Sequence, residues 1–430
     1  MAGLQCLTVR HRRGHPPGRR KLGRHARPPA RPTGPHRVTD LIIVGAGPAG
    51  LAAALHAKAL GHHPLVLEAE SAGRDRRGSR AIFIHQRTLD LLDAAHPGLG
   101  ARIAADGLVW PVKQTLWAGR KVFERAYTAD QVRRAPFASL PQPAIEQHLL
   151  DACRTTGVDI RWDAPVTAVR TTGDTVTLHT ADSTVLHTPY LIAADGARST
   201  VRTSLGIRLS GGTSRKAFVI ADVAEDPGLP LPPARIFHYR HPAAGKRNVL
   251  LVPFQGGWRM DIQCRPDDDP AHLTDLAPQF AHALLGPAYR NRVTWASSYH
   301  FRQRVAEHFT DPHQRVLLAG EAAHQFPPFG ARGMNSGIAD AHAAATAIHT
   351  ALTTPAHDAV PHYAGRRRTA ALHNSSAAAT ALAHLEADRL TTRAHQHAAA
   401  LLAPHWPRAG QWLDSAPYGP RLNHAPANGY

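Results

Sequence analysis

Three small clusters of glycines and carboxylates stand out for the chemistry that their spacing allows. The first is Gly45-Ala46-Gly47-Pro48-Ala49-Gly50, with Glu68 eighteen residues after Gly50. Gly45 permits a tight turn, Gly47 lets the backbone approach a pyrophosphate, and Gly50 lets a helix pack closely on a strand. The diphosphate would sit on free N–H groups at the positive end of that helix, and Glu68 would accept hydrogen bonds from an adenosine ribose. The second cluster is Asp195-Gly196 and the third Gly320-Glu321, each an acid beside small residues and able to hold sugar or ribityl hydroxyls. Behind the third comes Pro327-Pro328-Phe329-Gly330-Ala331-Arg332-Gly333-Met334-Asn335, a glycine loop opening a helix, which offers N–H donors and a positive dipole to an electron-rich ring.

These groups need strands and helices to position them, and the surrounding pattern supplies both. Leu41–Val44 reads as a buried strand, the alanine-rich run to Gly61 as a helix, and Leu65–Leu67 as a second strand, which makes a βαβ unit. From Asp40 onward strands and helices alternate, the signature of an α/β sheet. Helical spacing recurs over His85–Ala95 and Pro141–Arg154; Val112–Thr128 reads as two strands about Ala118-Gly119, and Val166–Thr188 as a meander. Tyr190–Ala194 and Arg315–Gly320 are apolar strands that deliver the second and third clusters, and Met334–Thr350 is a long helix. The strand-rich middle, Ala217–Phe301, carries Tyr239, Trp258, Trp295 and Tyr299, which reads as a separate sheet packed through its aromatics. Alanine-rich helices follow between Ala370 and Leu402, with their histidines expected to be solvated.

A chain of 430 residues, 43% hydrophobic, can bury the core of two joined domains. Cys6, Cys153 and Cys264 lie far apart, which suggests neither a metal site nor a disulfide framework and favours the cytoplasm. The apolar runs fall short of a membrane span. The net charge of +18 is uneven: residues 1–37 hold ten Lys or Arg and no acid. Rich in Pro, Gly and His, this segment is expected to be a disordered, solvated tail. Without interleaved aromatics it is not read as a specific nucleic-acid arm.

With Gly78-Ser79-Arg80-Ala81 and Gln86-Arg87-Thr88-Leu89-Asp90 added to the three clusters, the chain from about Val38 to about Thr380 resembles the group A flavoprotein monooxygenases. These are the aromatic hydroxylases typified by para-hydroxybenzoate hydroxylase, and the likeness is greatest to the phenol and pentachlorophenol monooxygenase branch. The resemblance implies FAD as cofactor. Gly45, Gly47 and Gly50 then match the turn on its diphosphate, Glu68 the adenosine ribose ligand, and Arg80 an arginine near the diphosphate. Gln142 matches a glutamine beside the flavin. Asp195 and Gly196 match a motif tied to both FAD and NAD(P)H use, Gly320 and Glu321 the ribityl motif, and Pro327–Asn335 the loop along the isoalloxazine. Glu321 departs from the aspartate usual in the family, which would re-aim its hydrogen bond. Arg80 and Arg87 also admit a plainer reading, solvated or paired with helix carboxylates. His324 reads as a packed loop histidine, and Asp340 as capping or pairing within its own helix.

The resemblance further implies that NADPH or NADH reduces FAD and that O2 is activated as a flavin C4a-hydroperoxide, which hydroxylates a phenolic or polycyclic aromatic. Other flavin chemistry on the same fold, of the prenyl-group reductase or halogenase type, is the alternative. The expected architecture is a Rossmann-type FAD-binding domain (38–110, 141–210 and 306–352) with an inserted mixed β-sheet substrate domain (111–140 and 211–305). C-terminal helices and a tail follow over 353–430, in a monomer or homodimer without a membrane span. His238, Tyr239, Arg259, His300 and Arg302 are the candidates for a catalytic base, which the sequence leaves undecided.

Overall fold

The structure, a computed structural model, describes residues 40–420 other than 77, 134, 135 and 355–357. The basic segment 1–37, and the reading of it as a disordered tail, lies outside the described residues. A five-stranded parallel sheet is built from β1 (Leu41–Val44), β2 (Leu65–Leu67), β7 (Asp159–Arg161), β11 (Tyr190–Ala193) and β17 (Val316–Leu318), in the order β17-β11-β1-β2-β7. Helices α1 (Pro48–Ala59), α5 (Gln142–Thr155) and α9 (Arg332–Thr353) flank this sheet, and strands β1, β11 and β17 are continuous apolar runs, buried throughout. Two smaller sheets accompany it: β3 (Phe83–His85) with β6 (Phe137–Ser139), and the meander β8 (Val166–Thr171), β9 (Val176–Thr180) and β10 (Val185–Thr188). Helices α2 (Gln86–Ala95), α3 (Leu99–Asp106), α4 (Ala129–Arg133) and α6 (Thr200–Ser204) complete this part.

The second large layer is a mixed eight-stranded sheet. Its strands are β4 (Val112–Trp117), β5 (Arg120–Ala126), β12 (Leu209–Ala224), β13 (Ala234–His241), β14 (Arg247–Phe254), β15 (Gly257–Gln263), β16 (Val293–Ala306) and β18 (His324–Gln325), in the order β18-β16-β12-β15-β14-β13-β4-β5. Register and pleat sort its residues onto two faces. One carries Val219, Ala221, Val249, Leu251, Trp258, Met260 and Ile262 and is covered by α7 (Pro270–Asp275) and α8 (Ala277–Leu285). The other carries Trp117, Phe218, Phe237 and Tyr239 and packs on Leu385, Ala400 and Leu413. Those three come from α10 (Ala359–Glu386), α11 (Leu390–Leu402) and α12 (Pro407–Ser415), so the C-terminal helices close over one end of this face.

One sequence expectation is corrected here. His384 of α10 is not solvated: it is buried, its Nε2 lies 2.7 Å from the Tyr239 hydroxyl, and burial pushes its pKa down to about 4. An alanine helix that docks on a sheet turns whichever side chain faces the sheet inward.

Candidate cofactor and active site

The three clusters leave the parallel sheet along one edge. Register pairs Val44 with both Leu67 and Ala193, and Ala193 with Leu318, so Gly45, Glu68, Asp195 and Gly320 all step off beside one another. Gly45 sits at φ +100, where its missing Cβ would lie 2.4 Å from the Ala194 carbonyl oxygen. A Cβ on Gly50 would lie 1.8 Å from the Gly45 oxygen, so both glycines are demanded by the crossing of helix and strand. The Gly320 Cβ position lies 3.0 Å from Ala49 Cβ, which brings the third cluster against the first turn of α1.

The carboxylates divide sharply by environment. Glu68 is buried, accepts from Ala46 N (2.6 Å) and Glu70 N (3.0 Å), and is ion-paired with Arg74 Nη1 (3.0 Å). Burial would raise its pKa, but these bonds hold it below the usual carboxylate range. With two hydrogen bonds accepted out of about four directions, Glu68 keeps acceptor capacity for a ribose hydroxyl. Asp195 caps α6 by accepting from Ser199 Oγ (2.6 Å) and Val201 N (3.0 Å), and burial raises its pKa against those bonds. Glu321, by contrast, is exposed, and Gly196 at φ +77 has open space before it.

The fourth group of candidates is held by a buttress. Asn335 accepts from His85 N (3.0 Å) and Thr88 Oγ1 (2.7 Å) and donates to Phe83 O (2.9 Å) and Ala331 O (2.7 Å), so its side chain is committed within the protein. Gly330 and Ala331 are both left-handed (φ +78 and +54) and turn the chain into α9. Pro327 is buried, Pro328 exposed and Met334 half-buried against the core; a Cβ on Gly333 would meet nothing within 4 Å. Asp340, expected to pair within its helix, instead joins three elements. It accepts from Gly320 N (3.0 Å), bonds His324 Nε2 (2.6 Å) and takes Arg367 Nε of α10 (2.6 Å). The triad is buried and fixes the third cluster to α9 and α10. His324 is a packed loop residue, stacked 4.5 Å from Phe326.

Arg80 has an exposed side chain and a left-handed backbone (φ +50), and its carbonyl accepts from Arg259 Nη1. Gln142 donates its backbone N–H to Ser79 O (3.0 Å) and its amide to Glu146 Oε1 (2.8 Å). Sequence reasoning missed the groups that fill this corner. Arg74 and Arg76 both reach buried Glu146, at 3.4 and 3.0 Å, and Arg76 Nη1 lies 4.0 Å from the Gly47 Cβ position. Asp222 of β12 accepts from Ser79 N (2.5 Å) and Ser79 Oγ (2.7 Å), clasping the eight-stranded sheet to this loop. Four local arginines at 74, 76, 77 and 80 were the available signal, but the division of labour around them depends on Glu146 and Asp222, distant in sequence.

The structure also separates the base candidates. Tyr239 and Arg259 lie on the sheet face shared with Phe218 and Phe237. His238 points to the other face, accepts from Gly119 N (2.9 Å) and is pushed by burial down to about 4. His300 and Arg302 are exposed. The Tyr239 hydroxyl donates to Leu413 O (2.8 Å), and burial raises its pKa well above 10, so it stays protonated. On the same face the loop residue Phe329 packs on Phe218 (5.7 Å) and Phe301 (5.5 Å), a wall of rings beside Pro327–Asn335.

FAD fits these residues by a test of space and polarity. The N-terminus of α1 has no side-chain cap and no acid in its first turn, so its N–H groups await an external acceptor. Gly196 and Gly333 have open space before them and Gly47 meets only the Arg76 guanidinium, at 4.0 Å, while the inward pair of Gly45 and Gly50 is filled. Gly45, Gly47 and Gly50 would hold the diphosphate, Glu68 the ribose, Glu321 the ribityl chain, and Pro327–Met334 the ring.

Comparison with known proteins agrees. The FAD binding domain family matches residues 38–377. Among curated proteins, the chain is 29% identical over 315 residues to a rifampicin monooxygenase of Rhodococcus hoagii, covering 71% of this chain and 62% of that one. It is 30% identical over 314 residues to a 6-methylpretetramide 4-monooxygenase of Streptomyces rimosus, covering 70% of this chain and 54% of that one. The chain thus spans about three fifths of these relatives. Among solved structures, p-nitrophenol 4-monooxygenase PnpA from Pseudomonas putida DLL-E4 matches with a TM-score of 0.74 at 26% identity, covering 90% of this chain and 99% of that one. Motif geometry and match together assign this chain to the FAD binding domain family.

Proposed function

We propose that this protein is an FAD-dependent monooxygenase that uses NADPH or NADH and O2 to hydroxylate a phenolic or polycyclic aromatic substrate. The observation that carries this reading is the ring-lined face of Phe218, Phe301 and Phe329 beside the Pro327–Asn335 loop, which suits a flat aromatic guest. The monooxygenase names of the relatives point the same way. FAD, when bound, supplies the oxygen-activating chemistry. The chain's own work is orientation, charge placement and exclusion of water. The N-terminus of α9 directs its dipole at the ring site. The Asp222–Ser79 and Arg259–Arg80 contacts hold the two layers at fixed separation. Helices α11 and α12 keep water from the far end of the face. Asp261 lies on that face opposite Ile220 and Leu250, held by Arg259 Nε (2.6 Å), and is our candidate to accept a phenolic proton.

The decisive experiment is oxygen and NAD(P)H consumption by the purified yellow protein across a panel of phenols, with product masses measured. Substrate-stimulated consumption and a mass gain of one oxygen are expected. Protein that holds no FAD, or a product formed without reductant consumption, would overturn the proposal. Among the described residues no helix is long and apolar enough to cross a membrane.

A further inference from the structure

A second feature of the eight-stranded sheet stands apart from the dinucleotide edge. At the β13–β14 hairpin, beside the start of α11, is a cleft of about 170 Å³. Lys216, Arg240, Lys246, Arg247, Arg265 and Arg393 line it over a floor formed by Trp117 and Tyr239. Three carboxylates answer these six cations: Asp268 takes Arg247 (2.5 and 2.9 Å), Asp388 takes Lys216 (2.8 Å), and Glu386 lines the cleft. Three positive charges are therefore in excess. The side chains of Arg240 and Lys246 have no ion pair or hydrogen bond among the described residues.

Backbone geometry holds the excess charge in place. Arg240 and Lys246 are both left-handed, at φ +52 and +63, a conformation that non-glycine residues adopt at a cost. Beyond them the guanidinium groups converge. A Cβ on Gly245 would lie 2.8 Å from Arg247 Nη1 and 3.5 Å from Arg265 Nη2. Asp268 answers one of these two guanidinium groups, so the pair keeps one positive charge for an external anion to join. An aromatic floor under such a ring suits a phosphate carried on an organic group. The cleft opens on the sheet face of the ring wall: Lys216 is two residues from Phe218, which packs 5.7 Å from Phe329.

We propose that this cleft is a binding site for a phosphoryl group of a small organic phosphate, the 2′-phosphate of a nicotinamide dinucleotide being the source that its position favours. The site stands on the cleft itself; only the assignment of that source rests on the function proposed above.

The test uses the FAD-loaded protein and two probes, adenosine 2′,5′-bisphosphate and inorganic phosphate, followed by calorimetry and by tryptophan fluorescence, since Trp117 forms the floor. The bisphosphate should bind, more weakly at high salt. Arg240→Gln combined with Lys246→Gln should raise its Kd at least tenfold, and the KM for NADPH with it, while kcat, FAD content and the KM for NADH stay unchanged. Both side chains are exposed, so the variant should fold, and circular dichroism checks this; Arg265→Gln is the independent second variant. Binding of inorganic phosphate alone, lost in the same variants, would keep the site and assign it to the free ion. If neither probe binds, or if both variants bind as the parent does, the site is overturned. Phosphate binding that persists in a protein reducible by neither nicotinamide would sink the proposed reductant and leave the site standing.

Discussion

His56 offers a test in which the magnitude follows from an imidazole held neutral in the fold. It lies on α1 at 3% exposure, with Nδ1 3.2 Å from His342 Nδ1 of α9. Desolvation, helped by the neighbouring His342, pushes its pKa from 6.5 down to about 3. The unfolded chain therefore binds a proton that the folded one refuses between those values. Stability from this group is complete above pH 6.5 and is lost as pH falls toward 3. At pH 5 the protonation factor of the unfolded state is about 33, which is a loss of about 2 kcal/mol. Because pH 5 lies well above the folded value, this figure depends only on the unfolded pKa. Urea unfolding of the parent and of His56→Gln at pH 7.5 and pH 5.0 measures it. The stability difference between the two proteins should move by about 2 kcal/mol in the variant's favour on acidification. Parallel pH curves would refute the claim that His56 is buried in its neutral form. Since α1 carries the diphosphate turn, FAD retention should decline over the same range.

Other expectations follow from the site. Asp340→Asn leaves Arg367, only 5% exposed, without its carboxylate and should cost about 3–5 kcal/mol in urea unfolding; a loss under 1 kcal/mol would mean the triad is not a structural tie. Gly333→Val adds atoms where nothing lies within 4 Å, so melting temperature and FAD content should stay near the parent's while product formed per NAD(P)H falls; full coupling would place the loop away from the chemistry. Glu68→Ala should weaken FAD by about 1.5–3 kcal/mol by equilibrium dialysis, the range for hydrogen bonds to a charged group. Removal of residues 1–37 takes away ten of the 50 Lys and Arg and should leave turnover unchanged while reducing retention on a cation exchanger; lost FAD would give the segment a structural role.

What could be read in advance was local. A glycine at φ +100 followed by an alanine helix and a short apolar strand is set within about 25 residues, so the turn on Gly45, helix α1 and the emergence of Glu68 were legible from residue types and spacing alone. The alternation of strands and helices likewise foretold the parallel sheet, because each apolar run must be buried and each crossover needs a helix. Which side chains serve the site was decided elsewhere. Asp340 ties α10 to the third cluster, Arg74 and Arg76 share Glu146, and Asp222 grips Ser79 across 143 positions. The separation of Tyr239 from His238 depends on strand register, since adjacent residues of a strand face opposite ways. The ring wall beside the loop depends on how β12, β16 and the Pro327–Asn335 loop come together. Turn geometry and hydrophobic period are properties of neighbouring residues and are written into the sequence; which charge meets which, and which face meets the cofactor, are properties of register and docking, settled only when the layers close.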